Sequence, residues 1–299
     1  MDLSGIFAAV TTPFDAAGGL RLEHLAGNFA AYRASRLSGV LVLGSSGEAI
    51  YLDQAEKIAV LEAAAAAGLP GKVLLAGTGE ESLRGTLEMT RRAAGLGYHA
   101  AVVRTPHYYK KNMTPAALSG FYRTLADEAA LPIVLYNIPP LTGVDLGLAT
   151  ILELAQHPRI VGLKESSGNT DKLVRIAAER PDFPVLVGGA STVYPSLCAG
   201  AKGAILALAA AAPAACCAVY DAFRRGDHDL ALAAQRALLG AAAAFEPLGI
   251  AGLKAAVEAM GLYGGPPRLP QLAVDGAQRA AITAAFAPLR DAVPAGAAR

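Results

Sequence analysis

Charge is scarce in this 299-residue chain. Only 17% of residues are Asp, Glu, Lys or Arg, and 26 basic against 25 acidic residues leave a net charge of +1. There is no basic block, so nucleic acid is not an expected partner. Cysteine is scarcer still. Cys198, Cys216 and Cys217 are the three present, and their spacing does not suit a metal. His24, His99, His107, His157 and His228 are scattered and form no ligand motif. No metal site is therefore expected, and the three thiols read as reduced and buried in a cytoplasmic protein. Met1-Asp2-Leu3-Ser4 has no positive segment of the kind that opens a signal peptide. No cofactor fingerprint occurs either. Ala16-Ala17-Gly18-Gly19 and Gly264-Gly265 are turn material rather than phosphate loops. The longest apolar region, 204–219, is alanine-rich, follows Lys202 and contains Pro213. It reads as a buried strand and a packed helix, not a membrane span.

What the chain has is a high apolar fraction, 54%, cut into short runs. Eight strand-like runs recur at 5–10, 39–44, 72–77, 100–105, 132–137, 160–165, 183–188 and 203–208. Between them lie helix-like segments at 20–36, 53–67, 80–96, 114–130, 145–156, 170–179 and 191–199, with start signals such as Asp53 and Thr114-Pro115. Strict alternation of strand and helix implies parallel strands with helical crossovers. Eight units predict an α/β fold, a (β/α)8 TIM barrel; an open doubly wound sheet is the alternative. After the eighth strand only helices follow, at 214–225, 227–245, 249–260 and 275–289. The first completes the barrel, so the expectation is a catalytic barrel over 1–225 and a C-terminal three-helix extension over 226–299, with Val293–Arg299 frayed.

The run Ile160-Val161-Gly162-Leu163-Lys164-Glu165 is where chemistry shows. Period-two geometry puts Ile160, Gly162 and Lys164 on one face of a buried strand. A buried ammonium costs several kcal/mol unless paired or neutralised. Lys164 is therefore either a Schiff-base lysine, since a dry site favours the nucleophilic amine, or a lysine that reaches solvent or pairs with Glu165. In a (β/α)8 barrel, reactive groups gather at the C-terminal ends of the strands. Tyr136 is the penultimate residue of its run, as Lys164 is, and adjacent strands lie about 4.8 Å apart. A phenol there can move protons at a nascent imine, or it can be a core aromatic. Gly44-Ser45-Ser46-Gly47-Glu48 offers hydroxyls and N–H groups to a carboxylate, or it is an ordinary turn whose Glu48 sits at a helix N-terminus. Arg104 could bind a second carboxylate or form a structural ion pair. Tyr108 and Tyr109 could reach a site or an interface. Gly188-Gly189-Ala190-Ser191 allows close ligand approach, or is a turn with Ser191 as helix cap.

Taken together with Gly5-Ile6-Phe7, Thr11-Thr12-Pro13-Phe14 and Tyr136-Asn137-Ile138-Pro139, these motifs resemble the dihydrodipicolinate synthase and N-acetylneuraminate lyase superfamily over essentially the whole chain. The resemblance implies a cofactor-free class I aldolase that binds pyruvate or another 2-oxoacid, and a homotetramer built as a dimer of dimers. Lys164 would form the imine and Tyr136 would act as general acid/base. Ser45 would link Tyr136 to Tyr108 of a neighbouring subunit. Ser46 would bind the 2-oxoacid carboxylate, with Gly189 and Ile205 lining the imine pocket. The family's synthases carry an arginine where Leu141 stands here, so the charge-assisted bond to their aldehyde substrate is missing. The sialic acid lyases share the leucine but have acidic residues where Ala190, Ser191 and Thr192 occur. The stretches 71–79, 249–254 and 261–268 look most like 4-hydroxy-2-oxoglutarate aldolases. The expected reaction is thus reversible cleavage of 4-hydroxy-2-oxoglutarate to pyruvate and glyoxylate. The alternatives are dihydrodipicolinate synthesis from pyruvate and aspartate semialdehyde, a 2-keto-3-deoxy sugar acid aldolase or dehydratase, and a non-catalytic binding barrel.

Overall fold

Eight parallel strands close on themselves in chain order, β1 pairing with both β2 and β8. They are β1 (Gly5–Ala9), β2 (Gly39–Val42), β3 (Val73–Gly77), β4 (Ala100–Arg104), β5 (Ile133–Asn137), β6 (Ile160–Glu165), β7 (Val185–Val187) and β8 (Gly203–Leu206). This computed structural model describes residues 1–291, so the tail expected to fray lies outside the described residues. The ring closes tightly at Gly203, where a Cβ would stand 2.0 Å from the Gly5 carbonyl oxygen. Alternation splits each strand between two cores. Phe7, Leu41, Leu75, Val102, Val134 and Leu186 fill the barrel interior. Their neighbours, such as Ile6, Val40, Val103 and Leu135, pack outward against the helices.

The crossover helices are α1 (Glu23–Ala34), α2 (Gln54–Ala67), α3 (Leu83–Gly95), α4 (Pro115–Glu128), α5 (Pro139–Thr142), α6 (Leu148–Leu154), α7 (Thr170–Glu179), α8 (Val193–Cys198) and α9 (Leu208–Ala211). α2 opens on a capping box in which Asp53 accepts from the Glu56 N–H and Glu56 accepts from the Asp53 N–H. α4 opens on Thr114 as cap and Pro115 in its first turn. Two short helices, α5 and α9, were not expected; both are single turns at strand ends, too short for periodicity to register. Leu20 belongs to a bridge with Phe14 rather than to α1.

One face assignment changes. β5 and β6 slip by a residue between Ile133 and Val134, so Ile133 pairs with Ile160 while Val134 pairs with Gly162. Because of this bulge Ile160 joins the outer core, Val161 packs against the interior, and Lys164 keeps its inward parity.

α10 (Pro213–Arg224) completes the ring. α11 (His228–Phe245), α12 (Gly249–Ala259) and α13 (Gly276–Asp291) then pack on one another, and α12 also packs on α9. The run His228–Ala259 has the length and hydropathy of a membrane span, but 44% of its most apolar window is buried inside the protein. The turn Glu246–Leu248 also breaks it into two helices. Cys216 and Cys217 are buried, and burial pushes the Cys217 thiol up to about 12. Cys198, expected to be buried, is exposed at the end of α8.

Candidate active site

Parallel register sets the level of the reactive groups. Arg104, Tyr136, Lys164 and Leu186 are Cα partners across β4, β5, β6 and β7. Lys164 and Tyr136 are 4% and 5% exposed, and the Lys164 Nζ lies 4.1 Å from the centre of the Tyr136 ring. Among the described residues Lys164 has no ion-pair partner. Glu165, the alternative partner, lies on the opposite face of the strand. It accepts from Asn137 Nδ2 at 3.0 and 3.1 Å and from the Ser167 N–H at 2.6 Å, and faces Lys172 at 3.8 Å. Lys172 in turn holds Asp145 at 2.6 Å. This outer network braces the ends of β5 and β6 and leaves the amine of Lys164 facing inward.

Above this level opens a cavity of about 490 Å³, lined by Ser45, Ser46, Tyr136, Leu141, Lys164, Gly189, Ser191 and Ile205 among others. These eight residues, all singled out in the sequence, therefore meet in one cavity. Ser45 Oγ lies 3.5 Å from the Tyr136 hydroxyl. Leu141 is 64% exposed at the rim.

Arg104 and Tyr108 do not line it. Arg104 donates to the Gly79 carbonyl and lies 3.7 Å from Glu81, the structural pairing rather than a free guanidinium. Tyr108 is 76% exposed and stacks edge-to-face on Tyr109. Its loop is held by Glu81, which accepts the His107 and Tyr108 N–H groups at 2.8 and 2.9 Å. Burial pushes the Glu81 carboxyl upward, but these N–H groups, His107 and Arg104 outweigh it and leave its pKa below the ordinary value.

The turn that carries Ser45 and Ser46 is strained at both ends. Leu43 (φ 58°) and Glu48 (φ 55°) are the two non-glycine residues with positive φ among the described residues, a conformation that persists only where the surroundings impose it. Thr12 Oγ1 donates to the Gly47 carbonyl at 2.6 Å. Glu48 is not the N-terminal carboxylate of α2. It is buried, 2.6 Å from Lys254 Nζ, and accepts the Arg268 N–H at 2.8 Å. Burial pulls the Lys254 amine below its ordinary value, and the Glu48 carboxylate opposes that shift. Lys254 Nζ and the Arg268 guanidinium both lie against Phe14, at 4.3 and 4.4 Å from the centre of its ring. Arg268 also holds Glu56 through two bonds of 2.7 Å. Sequence reasoning missed this cluster, although a single lysine in the middle of an apolar helix, Gly249–Ala259, was a usable sign.

It also missed the outer half of the cavity. Ser166, Ser167, Thr170, Thr192 and Ser196 line it with hydroxyls, and the C-terminal elements close it with Phe245, Glu246, Ile250 and Leu253. Burial raises the Glu246 carboxyl. Serines in loops carry no spacing signal, so only the fold brings them together.

Comparison with known proteins identifies the family. Residues 2–287 match the dihydrodipicolinate synthetase family. The chain is 36% identical over 260 residues to the L-threo-3-deoxy-hexylosonate aldolase of Hypocrea jecorina, covering 82% of each chain. It is 34% identical to the 4-hydroxy-tetrahydrodipicolinate synthase of an Exiguobacterium strain, covering 95% of this chain and 97% of that one. It is also 34% identical to an Emericella nidulans protein named "Probable 4-hydroxy-2-oxoglutarate aldolase, mitochondrial", covering 86% and 85%. Among solved structures, the Escherichia coli K12 prophage protein YagE in complex with pyruvate superposes with a TM-score of 0.91 at 27% identity, covering 97% and 99%. With a closed eight-stranded barrel and a family match over nearly its full length, the chain belongs to the dihydrodipicolinate synthetase family and is a Schiff-base-forming carbon–carbon lyase.

Proposed function

We propose that the enzyme cleaves and forms 4-hydroxy-2-oxoglutarate, with pyruvate and glyoxylate as the partners. The observation that carries this reading is the group formed by Lys164, Tyr136 and Ser45 at the inner end of a cavity whose outer end offers hydroxyls and, among the described residues, no arginine. Lys164 attacks the C2 carbonyl and expels water to give the imine. A base, Tyr136 or a water beside it, takes the C4 hydroxyl proton. The C3–C4 bond breaks, its electrons pass to the protonated imine, and the aldehyde leaves. The enamine takes a proton at C3, and water returns pyruvate and the free amine. Ser46 and its N–H hold the 2-oxoacid carboxylate, while Gly189 and Ile205 leave room for the imine.

Three features support this substrate over aspartate semialdehyde. Leu141 stands at the rim where the synthases' arginine would be, and Arg104 is engaged by Gly79 and Glu81. The stretch that looks most like the 4-hydroxy-2-oxoglutarate aldolases also contributes Gly249, Ile250 and Leu253 to the cavity. The hydroxyl-rich outer wall favours a second reading, a 3-deoxy sugar acid of the kind the Hypocrea jecorina relative's name describes. Both share the same bond cleavage. The unpaired buried Cys216 and Cys217 support a reducing, cytoplasmic setting, and the exposed Tyr108 loop supports an assembly in which a neighbour completes the site.

Pyruvate with borohydride tests the imine: a mass adduct on Lys164 is expected, and an adduct on another lysine would exclude the mechanism. Comparing kcat/KM for cleavage of 4-hydroxy-2-oxoglutarate and of a 3-deoxy-hexulosonate with that for condensation of pyruvate and aspartate semialdehyde decides the substrate.

A further inference from the structure

We propose that Glu48 is a positioning residue for catalysis and that Lys254 and Arg268, from the C-terminal region, hold it. The inference rests on the proposed reading of Ser45 and Ser46, and it adds a control of their placement by residues about 200 positions later in the chain.

The turn Ser45–Gly47 hangs between two left-handed residues, Leu43 and Glu48. A side chain at φ 55° relaxes toward ordinary backbone unless something stops it. At Glu48 the stop is visible. One carboxylate oxygen meets the Lys254 amine at 2.6 Å, and the other accepts the Arg268 N–H at 2.8 Å. Both Glu48 and Lys254 are 1% exposed, so neither end is exchanged for water. Lys254 is fixed in turn: its amine donates to the Pro266 carbonyl at 2.8 Å, and Gly264 packs so closely on its backbone that a Cβ there would stand 2.0 Å from the Lys254 carbonyl oxygen. Arg268 is fixed by Glu56 and by the Gly18 and Tyr51 carbonyls.

The Ser45–Tyr136 contact is 3.5 Å, already at the outer limit for a hydrogen bond. A displacement of about 1 Å at such a contact is enough to cost about 100-fold in rate. Lys164 sits on β6 and does not depend on this turn. At saturating pyruvate, where a weaker hold by Ser46 is offset, imine formation and proton transfer therefore respond separately to the loss of the latch.

The experiment uses the full-length enzyme carrying Glu48→Gln together with Lys254→Met. This pair of changes removes both charges, keeps the volumes and keeps an acceptor for the Arg268 N–H. A milder variant, Glu56→Gln, loosens Arg268 without touching the buried pair. Each is assayed for pyruvate adduct on Lys164 after borohydride, for exchange of pyruvate methyl protons in D2O, and for kcat and KM of cleavage. The expected result is wild-type adduct in both. Exchange and kcat should fall at least 10-fold in the double variant and several-fold in Glu56→Gln, with the KM for 4-hydroxy-2-oxoglutarate rising less than kcat falls. Wild-type exchange and kcat in a folded double variant would overturn the proposal. If the double variant does not fold, unchanged exchange and kcat in Glu56→Gln would do so. Loss of the adduct from the wild-type enzyme would instead overturn the imine reading beneath it.

Discussion

Lys164 is a lysine in a place where lysine is costly. It is 4% exposed, and its amine lies over the face of the Tyr136 ring. Burying a charge with nothing to pair it costs several kcal/mol, and a strand that needed only to pack would carry an aliphatic residue there. The sequence made the position legible because an apolar run with a single lysine is conspicuous. It also made Tyr136 legible, because both are penultimate in adjacent runs. Ser166, Ser167 and Glu246 were not legible, since loop hydroxyls and a single acid between helices have no periodicity. Two outcomes are expected at this scale. Lys164→Ala abolishes cleavage and the borohydride adduct while the thermal transition persists. Ser45→Ala lowers kcat by about 10²-fold, within the ordinary range for a proton-transfer group, and still traps pyruvate; steady-state kinetics and mass spectrometry read both.

Single elements show how local rules place these residues. The α2 start was readable from Asp53 alone, and the capping box with Glu56 makes the boundary firm. Asp53→Ala should cost about 1 kcal/mol in a denaturant titration, with the site chemistry unchanged. The bulge in β6 was not readable. The runs 132–137 and 160–165 align equally well with or without a one-residue slip, and only the ring of eight strands selects the register. The loop after β4 depends on one carboxylate. Glu81 has a folded pKa below its ordinary 4.5. Its hold on the His107 and Tyr108 N–H groups is therefore complete above that ordinary value and is lost as pH falls through the folded value. Amide exchange over residues 105–112 should accelerate on acidification, and Glu81→Gln should reproduce that acceleration at neutral pH.

At the scale of the molecule, the alternation of runs was enough for the barrel, and the helices after β8 were foreseen. Their part in the site was not, because the contacts of Phe245, Ile250 and Leu253 with the cavity and of Lys254 with Glu48 span some 200 residues. The exposed Tyr108 raises an assembly question with a direct answer. If a neighbour supplies this phenol, Tyr108→Phe and Lys164→Ala should each be impaired alone and recover cleavage when co-assembled, because one mixed site then holds an intact lysine and an intact tyrosine. Failure to recover would make each subunit self-sufficient. The tie between Glu48 and residues 254 and 268 also bears on how the enzyme is born. A nascent chain that has emerged only through β8 already holds every strand and the lysine, yet the hinge under its serines has nothing to grip. On the proposed latch, full turnover waits until residues 254 and 268 have been made, well after the last strand has left the ribosome.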